Sequence, residues 1–171
     1  MANALEPSVS QPSRIPFTLG PWASPSDPSW LAAFDGLVDD ALALGEPVLA
    51  ALEADLAPTP LADELATTES EVAPAWLAGY AANAAQAITH FAGRVAVFEI
   101  LPQPEASRDA GPRVHPAWMA RAVADIAAAL AAAGVDAGGR LLPCVPAGPG
   151  GGAAYFTAMR AASGDGGALG G

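Results

Sequence analysis

The sequence predicts an α/β fold built on a parallel sheet, and three observations indicate it. Segments with helical spacing of apolar residues alternate with short apolar runs, in the order helix, strand, helix, strand, helix, strand. The runs are almost continuously apolar, which is typical of strands buried on both faces, as in parallel sheets. A glycine follows each helix and leads into the next strand. Topology rules then predict a right-handed crossover for every unit.

The composition indicates one domain with a thin core. The chain has 171 residues, of which 52% are hydrophobic, and a length of this order suits a single compact unit or part of a larger one. Alanine carries much of the apolar share and buries little area per residue. The single cysteine, Cys144, excludes an internal disulfide and any zinc site built from several cysteines. We expect no metal and no cofactor.

The charge of the chain limits its partners. Eighteen acidic and seven basic residues, the latter all arginine, give a net charge of -11. This charge repels phosphate backbones and anionic lipids, so we expect binding to neither nucleic acid nor a membrane surface. No apolar run could span a bilayer, and the N-terminus lacks the basic start and apolar core of a secretion signal. The sequence as written therefore predicts a cytoplasmic protein, or an extracellular one if the true N-terminus lies upstream.

The first elements follow from local signals. Residues 1–29 are rich in Pro and Ser without a period and predict a loosely ordered N-terminal arm rather than a packed element. Asp27 and Pro28 then supply a cap and a proline at the first helical position, so a helix is predicted over 29–44. The apolar run 47–52 predicts a buried strand with proline at its tolerated first position.

The remaining elements continue the alternation. An acidic connection is predicted over 55–73, longer than most loops of this type. The later elements are a helix from Pro74 to Gly93, a strand over 95–101, a helix from Pro116 to Gly134, a strand over 141–145 and a short helical patch over 155–160. Together with the run 47–52, only three strands are evident, which is too few for a stable open sheet with helices on both faces.

A functional site is expected at the loop Pro102–Glu105. Ligands of parallel α/β folds lie at the carboxyl ends of the strands, where the loops converge, and this polar loop follows the strand 95–101. The two-residue period places Glu99 opposite Phe98, pointing inward in an otherwise apolar sheet. A buried carboxylate needs partners, so Glu99 is either a structural carboxylate, paired with an arginine or a backbone group, or a site residue.

This strand and its flanks resemble a known family. The stretch ITHFAGRVAVFEILPQPE resembles the fourth strand of (β/α)8 glycoside hydrolases of the clan that includes cellulases and β-xylosidases. Their usual pattern is a helix ending R-Y-x-G-R-V, followed by the strand W-E-I-W-N-E-P-N. Glu99 and Ile100 match the pattern, as does Pro104, while Phe98 and Leu101 stand for its two tryptophans.

The resemblance extends over roughly residues 30–165, because the neighbouring helices and strands are also similar to the family in order and spacing. It implies a partial (β/α)8 (TIM-type) barrel with parallel strands and alternating helices, comprising units three to five of eight. The expected organisation is therefore an arm over 1–29, a partial barrel domain over 30–165 and a Gly-rich tail over 166–171.

The departures from the family pattern fall on its chemistry. Pro102 replaces the family's Asn, and Gln103 replaces the Glu that serves as general acid/base. Glutamine cannot donate a proton at neutral pH, and the family's second carboxylate comes from strand seven, which the resemblance does not include. The resemblance thus implies an inactive remnant or truncated product; an active form would hydrolyse O-glycosyl bonds. The alternative is a non-catalytic carbohydrate-binding or protein-interaction module that uses the strand-end groove.

Three further residues have two interpretations each. Glu105 could take over as the acid, or it is a solvated loop residue. His115 could line a sugar pocket, or it is a surface or capping residue at a helix start. Trp118 could stack on a sugar ring, or it packs on the protein. Apart from carbohydrate, the expected partner is another copy of the chain or a second chain, because a partial barrel exposes sheet edges.

Overall fold

The computed structural model describes residues 11–19, 28–54, 59–102, 114–137, 139–144 and 151–163. They form a four-stranded parallel sheet flanked by helices, which confirms the predicted α/β class; the described strands do not close into a barrel. The strands are β1 (Ser13–Leu19), β2 (Val48–Ala54), β3 (Val97–Ile100) and β4 (Leu141–Pro143), and the helices are α1 (Ala32–Ala43), α2 (Thr59–Ala66), α3 (Ala73–His90), α4 (Pro116–Ala132) and α5 (Gly151–Ser163).

Strand β1 corrects the prediction of an unpacked arm. Residues 13–19 pair in parallel with β2 along their whole length, so the arm prediction is wrong there, and the sheet has four strands rather than three. Ile15, Phe17 and Leu19 are buried while the residues between them are exposed, which is the two-residue period of a strand with one face in the core. Pro16 and the surrounding Pro/Ser-rich sequence hide this short alternation.

The helices agree with the sequence more closely. The predicted helices 29–44, 74–93 and 116–134 correspond to α1, α3 and α4 within a few residues, and a short 3-10 helix (Pro28–Leu31) precedes α1. Gly45 and Gly93 follow two of these helices with φ of +74° and +88°, a conformation that favours glycine. The predicted connection over 55–73 is wrong in one respect, because it contains α2. None of the helices in the described part of the chain is long and apolar enough to cross a bilayer.

The order of the strands places the helices on one side of the sheet. The strands lie in chain order, β1-β2-β3-β4, and right-handed crossovers between successive parallel neighbours put every crossover helix on the same face. We call this the helix face; its buried side chains join those of the helices in one core: Ile15, Phe17, Ala50, Leu52, Phe98 and Ile100. We call the other the open face, where side chains keep contact with solvent: Arg14, Pro16, Leu49, Glu53, Val97, Glu99 and Leu142.

Both edges of the sheet carry a proline. The amide of Ser13 donates to the carbonyl of Pro47, directly before β2, so alternate residues of β1 bond on that side and Pro16 points to the free edge. At the opposite edge, the amide of Cys144 donates to β3, so Pro143 points away from the sheet. A proline has no N–H, and each edge therefore lacks a donor that a further strand would need. The predicted pairing of sheet edges is thus disfavoured at these two positions.

Candidate functional site

The candidate site lies where β2 and β3 end and α4 begins. Gln103 and Glu105, which the sequence places in the loop after β3, are outside the described residues. Glu99, His115 and Trp118 are described, and their contacts show what each side chain does. The site is built here from these three residues and from the backbone at the end of β3.

Glu99 lies on the open face, where Arg14 of β1 binds it. The Nε and Nη2 atoms of Arg14 are each 2.9 Å from Oε2 of Glu99, and Nη1 is 3.6 Å from a carboxylate oxygen of Glu53. The side chain of Glu99 is only 18% exposed, so the pair is partly shielded from water. Of the two interpretations of Glu99, the geometry matches a structural carboxylate paired with an arginine.

Arg14 reaches Glu99 across the intervening strand. Ala51 of β2 lies in register between Pro16 and Glu99, and it is completely buried although it belongs to the open face. An alanine at this position leaves room for the long arginine side chain to cross β2 above it. Glu99 lies opposite the buried Phe98 and Ile100, as the two-residue period indicates, but its face is not otherwise apolar, because the strand that supplies Arg14 was not evident in the sequence.

The ion pair limits what Glu99 can do chemically. A general acid must reach the leaving oxygen of the substrate, whereas Oε2 of Glu99 accepts a hydrogen bond from Nε of Arg14 and is also in ion-pair contact with Nη2. This oxygen is occupied by the neighbouring strand rather than free for a ligand.

The end of β3 is held by Tyr80 of α3. The Tyr80 hydroxyl donates to the carbonyl of Leu52 at 2.8 Å and accepts from the amide of Leu101 at 2.9 Å. Leu101 has φ of +46°, in the left-handed region that a leucine rarely occupies, and it directly precedes Pro102. The ring of Tyr80 is buried, and burial raises the pKa of its hydroxyl well above the usual value, so the hydroxyl stays protonated at neutral pH.

The sequence does not mark Tyr80 as a site residue. Its position fits the apolar stripe of α3, and there a buried tyrosine packs as phenylalanine would. The available signal was the hydroxyl itself, because a tyrosine in a core position needs a hydrogen-bond partner. That signal indicates that a partner exists but not which backbone group it is.

His115 and Trp118 lie together at the junction of α2 and α4. His115 caps α4: its Nδ1 accepts from the amide of Ala117 at 3.2 Å, and its own amide donates to the carbonyl of Leu65 at 2.7 Å. The indole Nε1 of Trp118 donates to the carbonyl of Thr67 at 2.7 Å, and the ring packs against the core. These contacts are those of a capping histidine and a packed tryptophan.

A second group of charges joins the first two crossover helices. Asp35 of α1 accepts from Nε2 of His90 at 2.9 Å and from Nη2 of Arg94 at 2.5 Å, and Arg94 also contacts Asp39 at 3.1 Å. The hydrogen bond from His90 is the largest cause that lowers the pKa of the Asp35 carboxyl, and the hydrogen bond from Arg94 is the second largest. This cluster joins the first turn of α1 to the last turn of α3, and it does not line the carboxyl ends of the strands.

One cavity lies away from the strand ends, in the helix layer. It has a volume of about 530 Å³, and its wall is formed mainly by alanines of α3 and α4 together with Leu31 and His90. The cavity therefore does not coincide with the site that the sequence predicts after β3.

The described residues include no group of three or more side chains suited to hold a metal ion.

Comparisons of the chain with protein-family models, with curated proteins and with solved structures find no match. The structure brings His115 and Trp118 together, and it pairs Glu99 with Arg14 on the open face. In these contacts Glu99 is separate from the other two.

Proposed function

We propose that this chain is a glycoside-hydrolase-like (β/α) protein without hydrolytic activity. The observation that carries the proposal is the ion pair between Arg14 and Glu99. Glu99 lies four residues before the acid/base position, and its Oε2 is occupied by the guanidinium of Arg14 rather than free to contact a glycosidic oxygen. Gln103, at that position, carries an amide.

The arrangement of the sheet supports the barrel-type part of the proposal. Successive units of a (β/α)8 barrel place parallel strands in chain order with all helices outside, whereas doubly wound folds reverse the order and cover both faces. The four described strands follow the first arrangement. On this proposal the open face corresponds to the inside of a barrel wall, where Arg14 and Glu99 meet.

The proposed lack of activity follows from the requirements of glycoside hydrolysis. A retaining enzyme needs two carboxyl groups about 5–5.5 Å apart, one to protonate the leaving oxygen and the other to attack the sugar carbon. In the segment that resembles the family's fourth strand, Glu99 is paired and Gln103 cannot ionise. Glu105 is the remaining carboxylate of that segment and therefore the residue on which the proposal can fail.

The test is an assay of the purified chain against a panel of aryl glycosides. We expect no release of the aryl group above the buffer rate at any pH between 4 and 8. A Glu105→Gln variant is the matched control. If the wild-type chain releases the aryl group and Glu105→Gln does not, the proposal is overturned and Glu105 is the acid. Equal release by both proteins indicates a contaminating enzyme, and the assay is then repeated after further purification.

A second candidate is a non-catalytic carbohydrate-binding module, and the conformation of Leu101 favours it. A non-glycine residue at φ of +46° just before a proline is strained, and such strain concentrates at binding and active sites. Titration against soluble oligosaccharides, followed by NMR, separates the candidates. Saturable shifts of the resonances of Leu101 and Trp118 would support the module, and the absence of shifts at millimolar sugar would leave the inactive remnant.

A further inference from the structure

The hydroxyl of Tyr80 occupies the place of a backbone hydrogen bond between β2 and β3. Leu52 and Ile100 are partners in the register of these two strands. The amides of β3 alternate between its neighbours, and that of Phe98 donates toward β4, so the next amide facing β2 beyond Glu99 belongs to Leu101. In a continued ladder this amide would donate to the carbonyl of Leu52. It donates instead to the Tyr80 hydroxyl, and the hydroxyl donates to Leu52.

The position of this hydroxyl is fixed by its surroundings. Tyr80 is 4% exposed, and its ring stacks on that of Trp76 with 5.5 Å between centroids and 15° between planes. Both residues belong to α3, which packs on the helix face. The hydroxyl is therefore held by a rigid helix rather than by the strands that it joins.

Inserting an oxygen atom between two strand ends separates them. A hydroxyl that bridges an N–H and a C=O keeps these groups farther apart than a direct bond of about 2.9 Å would. The chain beyond Ile100 consequently leaves the sheet, and Leu101 takes up φ of +46° immediately before Pro102. The hydrogen bond to Tyr80 satisfies the Leu101 amide in this conformation and thus stabilises it.

We propose that Tyr80 is a positioning residue: its hydroxyl ends the β2–β3 ladder and sets the backbone conformation in which Leu101 and Pro102 leave the sheet. The inference rests on the proposed function only in treating this end of β3 as the place where a sugar would bind. Tyr80 itself touches no ligand in this scheme. It acts through the backbone of Leu101.

The test compares Tyr80→Phe with Tyr155→Phe. Tyr155 is a matched control, since it is also a buried tyrosine whose hydroxyl donates to a backbone carbonyl, that of Val114, at 2.7 Å. We expect Tyr80→Phe to speed hydrogen exchange of the Leu101 amide about tenfold relative to amides of the sheet interior. The one-bond Cα–Hα coupling of Leu101, which reports the sign of φ, should shift as well. Tyr155→Phe should leave both measurements unchanged.

Equal exchange of the Leu101 amide in wild type and Tyr80→Phe would overturn the inference. If Tyr80→Phe does not fold, the wild-type chain still provides a test: the hydroxyl proton of Tyr80 should be visible by NMR, with a cross-peak to the Leu101 amide. Absence of that cross-peak would also overturn it. Neither measurement needs a sugar, so failure of the proposed function and failure of the Tyr80 inference are seen separately. Where the wild type binds an oligosaccharide, Tyr80→Phe should raise the Kd about tenfold and Tyr155→Phe should not.

Discussion

Arg14 and Glu99 connect two strands that are not neighbours, because β2 lies between them and its residue Ala51 is buried beneath the arginine side chain. The pair ties the edge strand β1 to the middle of the sheet on the open face. It also occupies an oxygen of Glu99, a carboxylate that matches the family pattern near the substituted position Gln103. A test of this pair therefore bears on both the fold and the proposed function.

Removal of Arg14 should destabilise the protein more than removal of an exposed arginine. Arg14→Met leaves the shielded carboxylate of Glu99 without its partner. We expect the free energy of unfolding to fall by about 1 kcal/mol, a small loss because Arg14 is itself half exposed. Arg121→Met, which breaks an exposed pair within α4 with Asp125, should change stability by less than about 0.5 kcal/mol. Urea unfolding of both variants measures the difference. Equal losses would show that the Arg14 pair is an ordinary surface contact.

A double-mutant cycle isolates the pair itself. Adding Glu99→Gln to Arg14→Met should recover part of the lost stability, because a neutral amide needs no compensating charge. Strictly additive losses in the double variant would contradict a direct interaction.

The stability contributed by Asp35 should disappear in acid. His90 and Arg94 lower the pKa of Asp35 in the folded protein, so the folded state favours the charged carboxylate. The contribution is fully present above the ordinary aspartate pKa of about 3.9 and is lost as the pH falls through the lowered value. Asp35→Asn should therefore destabilise the chain at pH 7, and the difference from wild type should shrink below about pH 4. The exposed Asp40 on the same helix provides the control, since Asp40→Asn should destabilise the chain at pH 7 less than Asp35→Asn does.

Two glycine substitutions should have opposite effects. Gly45 has φ of +74°, which an alanine adopts only with strain, whereas Gly36 lies within α1 and has open space where a Cβ would go. We expect Gly45→Ala to destabilise by about 1 kcal/mol and Gly36→Ala to stabilise by about 0.5–1 kcal/mol. Denaturant midpoints measured in parallel test this, and effects of the same sign would contradict the backbone conformation at position 45.

Restoring a glutamate at the acid/base position should not create an enzyme. Gln103→Glu supplies one carboxyl group, but hydrolysis requires a second at a defined distance, and Glu99 is bound to Arg14. We expect no release of aryl glycoside by this variant in the assay used for the wild type. A measurable rate in Gln103→Glu that vanishes on reversion to glutamine would show that a second carboxylate is in place.

The purified chain should self-associate through the open face. Parallel sheets are normally covered on both faces, and in a purified sample another copy is the available cover. Leu142, which is 48% exposed on that face, is the residue to change. Light scattering should show a mass that rises with protein concentration, and more steeply at high salt, which screens the net charge of -11. Leu142→Asp should reduce the association, whereas Leu44→Asp at the end of α1 should not; a monomer at all concentrations would contradict the prediction.

The parts of the fold that sequence could predict are those with strong local periods. The apolar stripe of α3 and the glycines after the helices give these elements directly, and the continuous apolar run of β3 marks a buried strand. Strand β1 was missed because only three of its side chains are buried and Pro16 interrupts it. That omission concealed Arg14, so the role of Glu99 could not be decided.

The contacts of the candidate site depend on which elements become neighbours. The sequence places His115 directly before a helix, and because capping is a local role, it is predictable from that position. The contact of Tyr80 with Leu52 and Leu101 depends on the register of two strands against a helix, which no single-segment pattern contains. Local sequence patterns thus predict the helices and strands, whereas the side-chain contacts of the candidate site depend on long-range packing.

The prolines at the two edges bear on how a chain of this kind could be duplicated. Head-to-tail fusion of two copies would place eight parallel strands in order, with a seam where β4 of one copy meets β1 of the other. Pro143 and Pro16 point toward that seam and cannot donate across it. A chain fused in this way would therefore lack two hydrogen-bond donors along the line where the two sheets meet. Replacing both prolines by valine or threonine is the change that would let the seam match the interior ladders.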